Sequence, residues 1–298
     1  MSAAAISKKE LLKSRASCFS KVRAFFAGRS VMEVDCLALE SFATIDAHID
    51  PLQAENGFLH TSPEYGMKKL LAEGCGDIYQ HSHVFRREEK SPLHSVEFSM
   101  LEWYRLKLSF EELIDETCEL IQELIPNLSF KRLTYREAFE KHLCSLDAPI
   151  EELRSYLDGL SEEMLEDSSA LIDLCFAEHV EPNLPEAAVI TDFPAKTAAL
   201  AKVAENSEGE LVARRFEIYL RGIEVANGYD ELQDSRELRR RFESANRERL
   251  TCGKKSYAID EELLEAIEKM PPCVGVAVGF DRLVMLATGL SRVSDIQA

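Results

Sequence analysis

A short stretch of the sequence, Val84–Arg105, gathers side chains that could bind a charged ligand. It reads VFRREEKSPLHSVEFSMLEWYR, in which two β-rich runs flank a charged loop. Side chains alternate between faces along a strand, so Phe98, Glu102 and Tyr104 are expected to share one face of the second run. Arg86 ends the first run, and its forked guanidinium suits phosphate, while an aromatic ring can stack on a purine.

The same spacing has an ordinary structural interpretation. An exposed hairpin face with cross-strand ion pairs would carry the same residue types. Burying such a face is costly unless a polar ligand occupies it, but periodicity alone leaves both interpretations open.

Three glutamates recur every seven residues within RRFEIYLRGIEVANGYDEL (214–232): Glu217, Glu224 and Glu231. We expect a hairpin that turns at Arg221-Gly222, so that Tyr219 pairs with Glu224 and residue 217 pairs with Ala226. The first two glutamates then project from one face, where close carboxylates repel unless a cation lies between them. Mg²⁺ would serve, with substrate phosphates as further ligands, although a solvated sheet face also fits.

A glycine-rich strand followed by an arginine forms the third group, in GVAVGFDRLVMLATG (275–289). Gly275 and Gly279 would permit close approach of a ligand or of backbone. Arg282 falls in the first turn of the next helix, where the helix dipole disfavours a cation, so we expect an anionic partner. The segment is neither a Walker loop nor GxGxxG, so P-loop and Rossmann folds lack support.

The elements that must position these groups follow from hydrophobic periodicity. The predicted order is helix 8–29, a strand within SVMEVDCLAL, a helix within TSPEYGMKKLLAEG, strands 77–86 and 96–106, helices 109–125, 134–142 and 161–179, a strand in AAVITDFP, the hairpin of 214–232, helices 234–250 and 260–269, strand 274–280 and a helix from Asp281. Helices before, between and after hairpin strands predict an α+β fold with an antiparallel β-sheet flanked by helices.

Helix starts are marked by capping patterns. Ser109 with Glu112 forms a capping box. For the helix after residue 60, either Thr61 pairs with Glu64 in a capping box, or Ser62 caps the helix and Pro63 occupies its first position. No internal repeat, low-complexity segment or linker interrupts the chain, which predicts a single domain over 1–298.

Composition excludes several classes of protein. The 298 residues carry a net charge of −18, which argues against a general nucleic-acid binder. The basic cluster 236–250 is interpreted as a solvated helix face with acid–base pairs. No apolar run is long enough to span a membrane, and the N-terminus lacks the apolar core of a secretion signal. Eight scattered cysteines without a CxxC pair suggest reduced thiols in the cytoplasm.

Together these segments resemble the signature motifs of class II aminoacyl-tRNA synthetases. FRRE (85–88) resembles their motif 2, and GVAVGFDR (275–282) resembles their motif 3. TSPEYGMKKLL, EFSMLEWY and RFEIYLRGIEVANGYDEL are similar to the lysyl-tRNA synthetase subgroup, and more closely to its stand-alone paralogues that modify elongation factor P. The resemblance covers nearly the whole chain.

The resemblance implies a class II catalytic core without an N-terminal OB-fold domain, because the first motif-like helix begins by residue 8. It implies an ATP-dependent ligase that activates a lysine, with (R)-β-lysine favoured, as an aminoacyl-adenylate and transfers it to a lysine of elongation factor P. ATP and Mg²⁺ are the implied cofactors, a homodimer is expected, and neither a membrane nor tRNA is an expected partner.

Site residues follow from the resemblance, position by position. The implied ATP-binding residues are Arg86, Arg87, Glu88, His94, Ser95, Phe98, Glu224, Val225, Gly279 and Arg282. Among them Arg86 and Arg282 would be catalytic and hold phosphates, Glu88 would contact adenine, and Phe98 would stack on it. His94 would lie near the phosphates.

The implied substrate-binding residues are Ser62, Pro63, Glu64, Tyr104, Glu231 and Ala277, and the implied metal ligands are Glu217 and Glu224. Glu64 would take the amino group near the substrate's carboxyl end, and Tyr104 with Glu231 the distal ammonium. Lysyl-tRNA synthetases have Gly where Ala277 stands, and the paralogues have Ala. The extra methyl is expected to disfavour one lysine isomer, since overpacking costs roughly 1–3 kcal/mol.

Two positions depart from the family pattern. Leu37 stands where the first motif usually has Pro, and Ser95 stands where Asn usually follows the histidine. Two alternatives therefore remain: a truncated lysyl-tRNA synthetase that charges tRNA, and a non-catalytic paralogue that senses an amino acid.

Overall fold

The computed structural model describes residues 6–87, 91–157, 159 and 168–297, with side chains from Ala170 onward in the last range. The chain divides into two compact units. The first unit is Met1–Pro126 with Glu231–Ala298, and the second unit is Asn127–Asp230.

The N-terminal part of the first unit begins with one long helix and ends with another. Its elements here are α1 Lys8–Ala27, β1 Met32–Glu33, β2 Leu39–Glu40, β3 Leu52–Ala54, β4 Gly57–Leu59, α2 Glu64–Ala72, β5 Ile78–Phe85, β6 Glu97–Arg105 and α3 Phe110–Leu124. The predicted capping box of Ser109 and Glu112 starts α3, and a second one, Ser7 with Glu10, starts α1.

The second unit carries most of the shorter strands. Its elements are β7 Lys131–Thr134, α4 Tyr135–His142, α5 Ile150–Arg154, α6 Ser168–Cys175, β8 Ala187–Thr191, β9 Phe193–Pro194, β10 Val203–Glu205, β11 Leu211–Ala213, β12 Arg215–Leu220 and β13 Ile223–Asp230. The predicted helix over 161–179 is observed from Ser168, and it widens into a π-helical turn at Phe176–Val180. Residues 161–167 lie outside the described range.

The C-terminal part returns to the first unit. Its elements are α7 Ser235–Thr251, α8 Glu261–Lys269, β14 Val274–Gly279, α9 Phe280–Ala287 and α10 Val293–Ile296. No helix in the described ranges is long and apolar enough to cross a bilayer. Arg240 and Arg241 both pair with Glu237, so the basic segment 236–250 carries the predicted acid–base pairs.

Each unit contains a mainly antiparallel sheet of four strands. In the first unit the order is β1-β5-β6-β14, and in the second it is β13-β12-β8-β7. β1 runs parallel to β5, and β7 runs parallel to β8, so each sheet is mixed. Both parallel pairs join strands that are separated by a helical crossover, which a parallel connection needs. The α+β fold is confirmed, with these parallel pairs as an addition to the predicted antiparallel sheet.

Candidate active site

The β5–β6 hairpin holds an arginine against an aromatic ring. Val84 pairs with Phe98, and the Arg86 N–H donates to Val96 O at 2.9 Å just beyond the end of β5. Arg86 Nε donates to Thr61 O at 3.3 Å, and its guanidinium carbon lies 5.2 Å from the centre of the Phe98 ring. This cation–π distance fixes the arginine beside the flat face on which we expect a purine to stack.

β5 ends one residue before the predicted end of this strand at residue 86. β5 ends at Phe85, so Arg86 belongs to the turn that follows. The exposed Arg87 donates its N–H to Asp50 O at 2.7 Å, and Ser95 is half-buried just before β6. Glu88, the expected adenine contact, lies outside the described residues.

Arg282 meets His94 in the first unit. Arg282 Nη2 lies 2.6 Å from His94 Nε2, and Arg282 Nε donates to Leu93 O at 3.3 Å. An arginine only donates, so His94 accepts at Nε2 and its Nδ1 proton faces Ser91 Oγ at 2.7 Å. The structure thus brings these two predicted nucleotide-binding residues together.

A buried ion pair anchors the start of α9. Asp281 lies 2.7 Å from Arg15 of α1 and accepts from the Ser99 N–H at 3.1 Å. Because Arg282 is the next residue, these contacts fix the helical turn from which its side chain projects.

A second group of side chains forms an acidic pocket around one lysine, all within the first unit. Lys68 Nζ lies 2.5 Å from Glu64 Oε1, one helical turn earlier on α2, and 2.6 Å from Glu231 Oε2. The side chains of Lys68 and Glu231 are only 3% and 1% exposed. The charges of both glutamates outweigh burial and raise the pKa of Lys68, so its ammonium stays charged.

Glu102 of β6 is the third carboxylate of the pocket. Ser62 Oγ and Tyr104 Oη each donate to it at 2.6 Å, one to each oxygen. Burial raises the pKa of Glu102 to about 7, and the charge of Glu64 adds to the effect. Burial likewise raises the pKa of Glu231 to about 8, although Lys68 opposes the shift.

β14 closes the pocket with small residues. Gly275 pairs with Tyr104, and Ala277 pairs with Glu102, so both positions face the acidic side chains. A Cβ on Gly275 would lie 2.5 Å from Glu231 Oε1 and from the Tyr104 ring, whereas the three atoms nearest to one on Gly279 all belong to Arg282, the closest at 3.5 Å. The Ala277 methyl is thus on the face where we expect it to contact a substrate.

The other two glutamates of the seven-residue series lie in the second unit. The turn at 221–222 is confirmed, and Tyr219 pairs with Glu224 as predicted. The predicted pairing of residue 217 with Ala226 is wrong. A bulge between Ile218 and Tyr219 shifts the register, so Glu217 pairs with Asn227.

Glu217 and Glu224 still share a face, because Tyr219 lies on that face with both. Glu217 is buried and accepts hydrogen bonds from Arg215, from Tyr219 Oη at 2.5 Å and from Asn227 Nδ2 at 3.3 Å. Burial would lower the pKa of Arg215, but the charges of the two glutamates outweigh it and raise that pKa. Val225, next to Glu224, is buried.

Glu217 and Glu224 suit a cation that is already partly coordinated by a bound ligand. The described residues contain no group of three or more His, Cys, Asp or Glu side chains arranged to hold a metal alone. Glu217 and Glu224 present two carboxylates on one face, and Mg²⁺ commonly takes one or two carboxylates and completes its octahedron with phosphates and water. The hairpin therefore fits Mg²⁺ bound to a nucleotide.

The sequence did not identify Lys68 as a pocket residue, and it placed Glu102 on one face with Tyr104 without indicating a role in substrate binding. Lys68 follows Glu64 by four residues on a helix, a spacing that brings the two side chains together. Both predicted caps for α2 are wrong: Pro63 is the N-cap residue and no side chain caps the helix. The Ser62 hydroxyl accepts from the Glu64 N–H at 3.1 Å and donates to Glu102, while the Glu64 side chain pairs with Lys68.

The chain belongs to the class II tRNA synthetases of the D, K and N group, whose family model matches residues 3–298. Its relatives include proteins named elongation factor P–(R)-β-lysine ligase. The one from Vibrio parahaemolyticus is 41% identical over 97% of this chain and 95% of the relative. Those from Salmonella arizonae and Erwinia tasmaniensis are 40% and 42% identical, each over 97% of this chain and 94% of the relative.

Proposed function

We propose that this protein is an ATP-dependent ligase that activates (R)-β-lysine and transfers it to a lysine side chain of elongation factor P. The observation that carries the proposal is the acidic pocket of Glu64, Glu102 and Glu231. Such a pocket is suited to ammonium groups, which need carboxylates when they are buried. Family membership supplies the adenylate-forming chemistry, and the names of the relatives point to the acceptor.

The amino acid would lie along β14 with its two amino groups toward the carboxylates. Glu64 would take the amino group near the carboxyl end, while Tyr104 and Glu231 would take the distal ammonium. The Ala277 methyl would contact the substrate and favour the β-isomer, and the pairing of Ala277 with Glu102 supports this role. The buried Pro63 and half-buried Ser62 shape the entrance beside Glu64.

ATP would lie beside Arg86, Phe98 and Arg282. Phe98 would stack on the adenine, Glu88 and the backbone near Val225 would contact its edge, and Ser95 and Gly279 would line the site. Arg87 and His94 would approach the phosphates. Glu217 and Glu224 would hold Mg²⁺, which supplies charge neutralisation and orientation of the phosphates when bound.

In the first step the amino acid's carboxylate attacks the α-phosphorus of ATP. A new P–O bond forms, the bond to the bridging oxygen breaks, and pyrophosphate leaves. Arg86 and Arg282 stabilise the charge that develops on the phosphate oxygens. In the second step a lysine amine of elongation factor P attacks the adenylate carbonyl, which yields an amide, AMP and a proton. Positioning carries the catalysis, and no enzyme nucleophile is needed.

The working form would be a homodimer in the cytoplasm. Met32, Leu37 and Leu39 are 47%, 76% and 46% exposed in the segment that corresponds to motif 1, and a second copy would cover them. All eight cysteines are free thiols, which suits a reducing compartment. The net charge of −18 disfavours tRNA as a partner.

Exchange of labelled pyrophosphate into ATP tests the first step. The protein is incubated with α-lysine, (R)-β-lysine or (S)-β-lysine, and exchange is expected with (R)-β-lysine above the other two. No exchange with any isomer would favour an amino-acid sensor over an enzyme, and better exchange with α-lysine would contradict the role of Ala277.

Mass spectrometry of the acceptor tests the second step. Purified elongation factor P incubated with enzyme, ATP and (R)-β-lysine should gain one β-lysyl group on a single lysine. Parallel reactions contain tRNA-Lys in place of the acceptor. Efficient charging of the tRNA without modification of elongation factor P would overturn the proposal in favour of a lysyl-tRNA synthetase.

A further inference from the structure

The acidic pocket contains more buried carboxylates than cations. α2 contributes Glu64 and Lys68, β6 contributes Glu102 and Tyr104, and Glu231 enters from the start of the connection to α7. The neighbouring β14 positions, Gly275 and Ala277, contribute no charge.

Among the residues that the structure describes, the neighbours Gln80, Cys36 and Lys69 do not supply the missing positive charge. Opposite Glu102 on β5 stands the neutral Gln80, whose amide oxygen accepts from the Cys36 N–H at 2.7 Å. The nearby carboxylates, Glu102 among them, add to burial in raising the pKa of Cys36, so that thiol is neutral as well. Lys69, the next cation along α2, points to Asp260 at 2.7 Å. Three carboxylates therefore face one ammonium.

We propose that binding of the amino acid releases protons from this pocket, and that Lys68 is a positioning residue whose ion pairs orient Glu64 and Glu231 and favour release of the Glu231 proton to solvent. The inference rests on the proposed lysine-type substrate. In the free pocket the excess carboxylates hold protons, because a buried unpaired carboxylate is costly. The two ammonium groups of a diamino acid replace those protons, and charge balance is complete only with two.

Glu102 and Glu231, the two most buried carboxylates of the pocket, are the ones whose protonation changes on binding. The pKa of Glu102 is raised to about 7 and that of Glu231 to about 8, in both cases chiefly by burial. Each is therefore partly protonated near pH 7, and an ammonium within hydrogen-bond distance lowers both pKa values. Affinity for the amino acid should rise with pH until both carboxylates are ionised in the free protein.

Calorimetric titration in two buffers counts the protons. (R)-β-lysine is titrated into the full-length protein at pH 7.0 in phosphate and in Tris, whose ionisation enthalpies differ. We expect release of about one to two protons per site. Equal heats in both buffers would overturn the inference while leaving the substrate assignment intact. Absence of binding for every lysine isomer would instead sink the proposed function.

Matched variants then assign the protons. Glu102→Gln should lower the count by roughly a third, because at pH 7.0 the more basic Glu231 holds most of the protons. Glu97→Gln, at an exposed glutamate of the same strand, should leave the count unchanged. Lys68→Met should move the pH of half-maximal affinity upward, because its cation no longer favours ionised neighbours. A uniform loss of affinity at every pH would mean that Lys68 is merely structural.

Discussion

Glu231 is held in the acidic pocket by its ion pair with Lys68 at 2.6 Å. Glu231→Gln keeps the shape but removes the charge offered to the substrate. Losing a hydrogen bond to a charged group costs about 1.5–3 kcal/mol, or roughly a 10- to 100-fold rise in KM for (R)-β-lysine. Pyrophosphate exchange at varied lysine and varied ATP measures both constants. The KM for ATP should change less than about twofold, and equal loss of both would contradict the assigned role.

The lack of a side chain at Gly275 leaves room for Glu231 and Tyr104 in the pocket. Gly275→Ala would place a Cβ 2.5 Å from Glu231 Oε1 and from the Tyr104 ring, so both side chains must shift. Overpacking of this kind costs about 1–3 kcal/mol, which predicts up to roughly a 100-fold loss of amino-acid affinity. Calorimetry with (R)-β-lysine measures it.

Gly279→Ala is the matched control on the same strand. Its new Cβ would lie 3.5 Å from Arg282 Cδ, an ordinary contact, so amino-acid affinity should persist. If both variants lost that affinity alike, the pocket would not lie at Gly275.

At single residues, the sequence was informative where a motif was long. Tyr104 was placed with Glu231 by resemblance, and both border Gly275 in the structure. Lys68 was missed, and Glu102 was given no role in substrate binding, because their roles depend on which side chains surround them in the fold. These side chains come from α2, β6 and the start of the connection to α7, which are far apart in sequence, so no local sequence pattern predicts that they meet.

Among elements, the β12–β13 hairpin was predicted in its turn but not in its register. Arg221 and Gly222 adopt φ of 52° and 73°, as a two-residue turn with both residues left-handed requires. The arginine-glycine pair signals such a turn, whereas the bulge at Ile218/Tyr219 has no marker in the sequence. The start of α2 shows a similar limit, since its N-cap residue is Pro63 and the Ser62 hydroxyl also donates to Glu102.

Gly222 is predicted to stabilise this hairpin in two ways. Gly222→Ala forces a left-handed alanine, which costs about 1–2 kcal/mol, and sets a Cβ 2.8 Å from Glu181 O. Gly209→Ala has a similar φ, +81°, with nothing within 4 Å of its Cβ, so it isolates the backbone term. Thermal unfolding should show Gly222→Ala as the less stable variant. Equal melting temperatures would mean that the contact with Glu181 relaxes freely.

For the whole molecule, the buried carboxylates couple stability to pH. Glu102 and Glu231 have folded-state pKa values of about 7 and about 8, above the ordinary 4.5. The native state therefore binds more protons than the unfolded state, and the stability that this provides is lost as pH rises through 7 and 8. We expect the melting temperature of the substrate-free protein to fall between pH 6 and 8.5.

Glu102→Gln separates this effect from other titrations. The variant should show a shallower decline than the wild type over the same range, by on the order of 2 °C, because one titrating group is gone. Saturation with (R)-β-lysine should flatten the wild-type curve as well. Parallel curves for wild type and variant would show that Glu102 is already ionised at pH 6.

Composition argued against a membrane protein, a secreted protein and a general nucleic-acid binder. Helix periodicity together with hairpin signals predicted the α+β fold. The parallel pairings of β1 with β5 and of β7 with β8 were not predicted, because they join segments far apart in sequence. Association with a second copy is equally hard to predict from sequence, because it depends on the shape of the surface as well as on the motif 1 residues.

Leu37 offers the sharpest test of that association. It is 76% exposed and stands where the motif 1 pattern usually has Pro, and Met32 and Leu39 of the same segment are exposed as well. Leu37→Glu would bury a charge in a dimer interface and should convert the protein to a monomer, as measured by sedimentation velocity at micromolar concentration. Leu250→Glu, at a 59% exposed position on α7, is the control and should leave the dimer intact. A wild-type monomer, or a Leu37→Glu variant that still dimerises, would place the interface elsewhere.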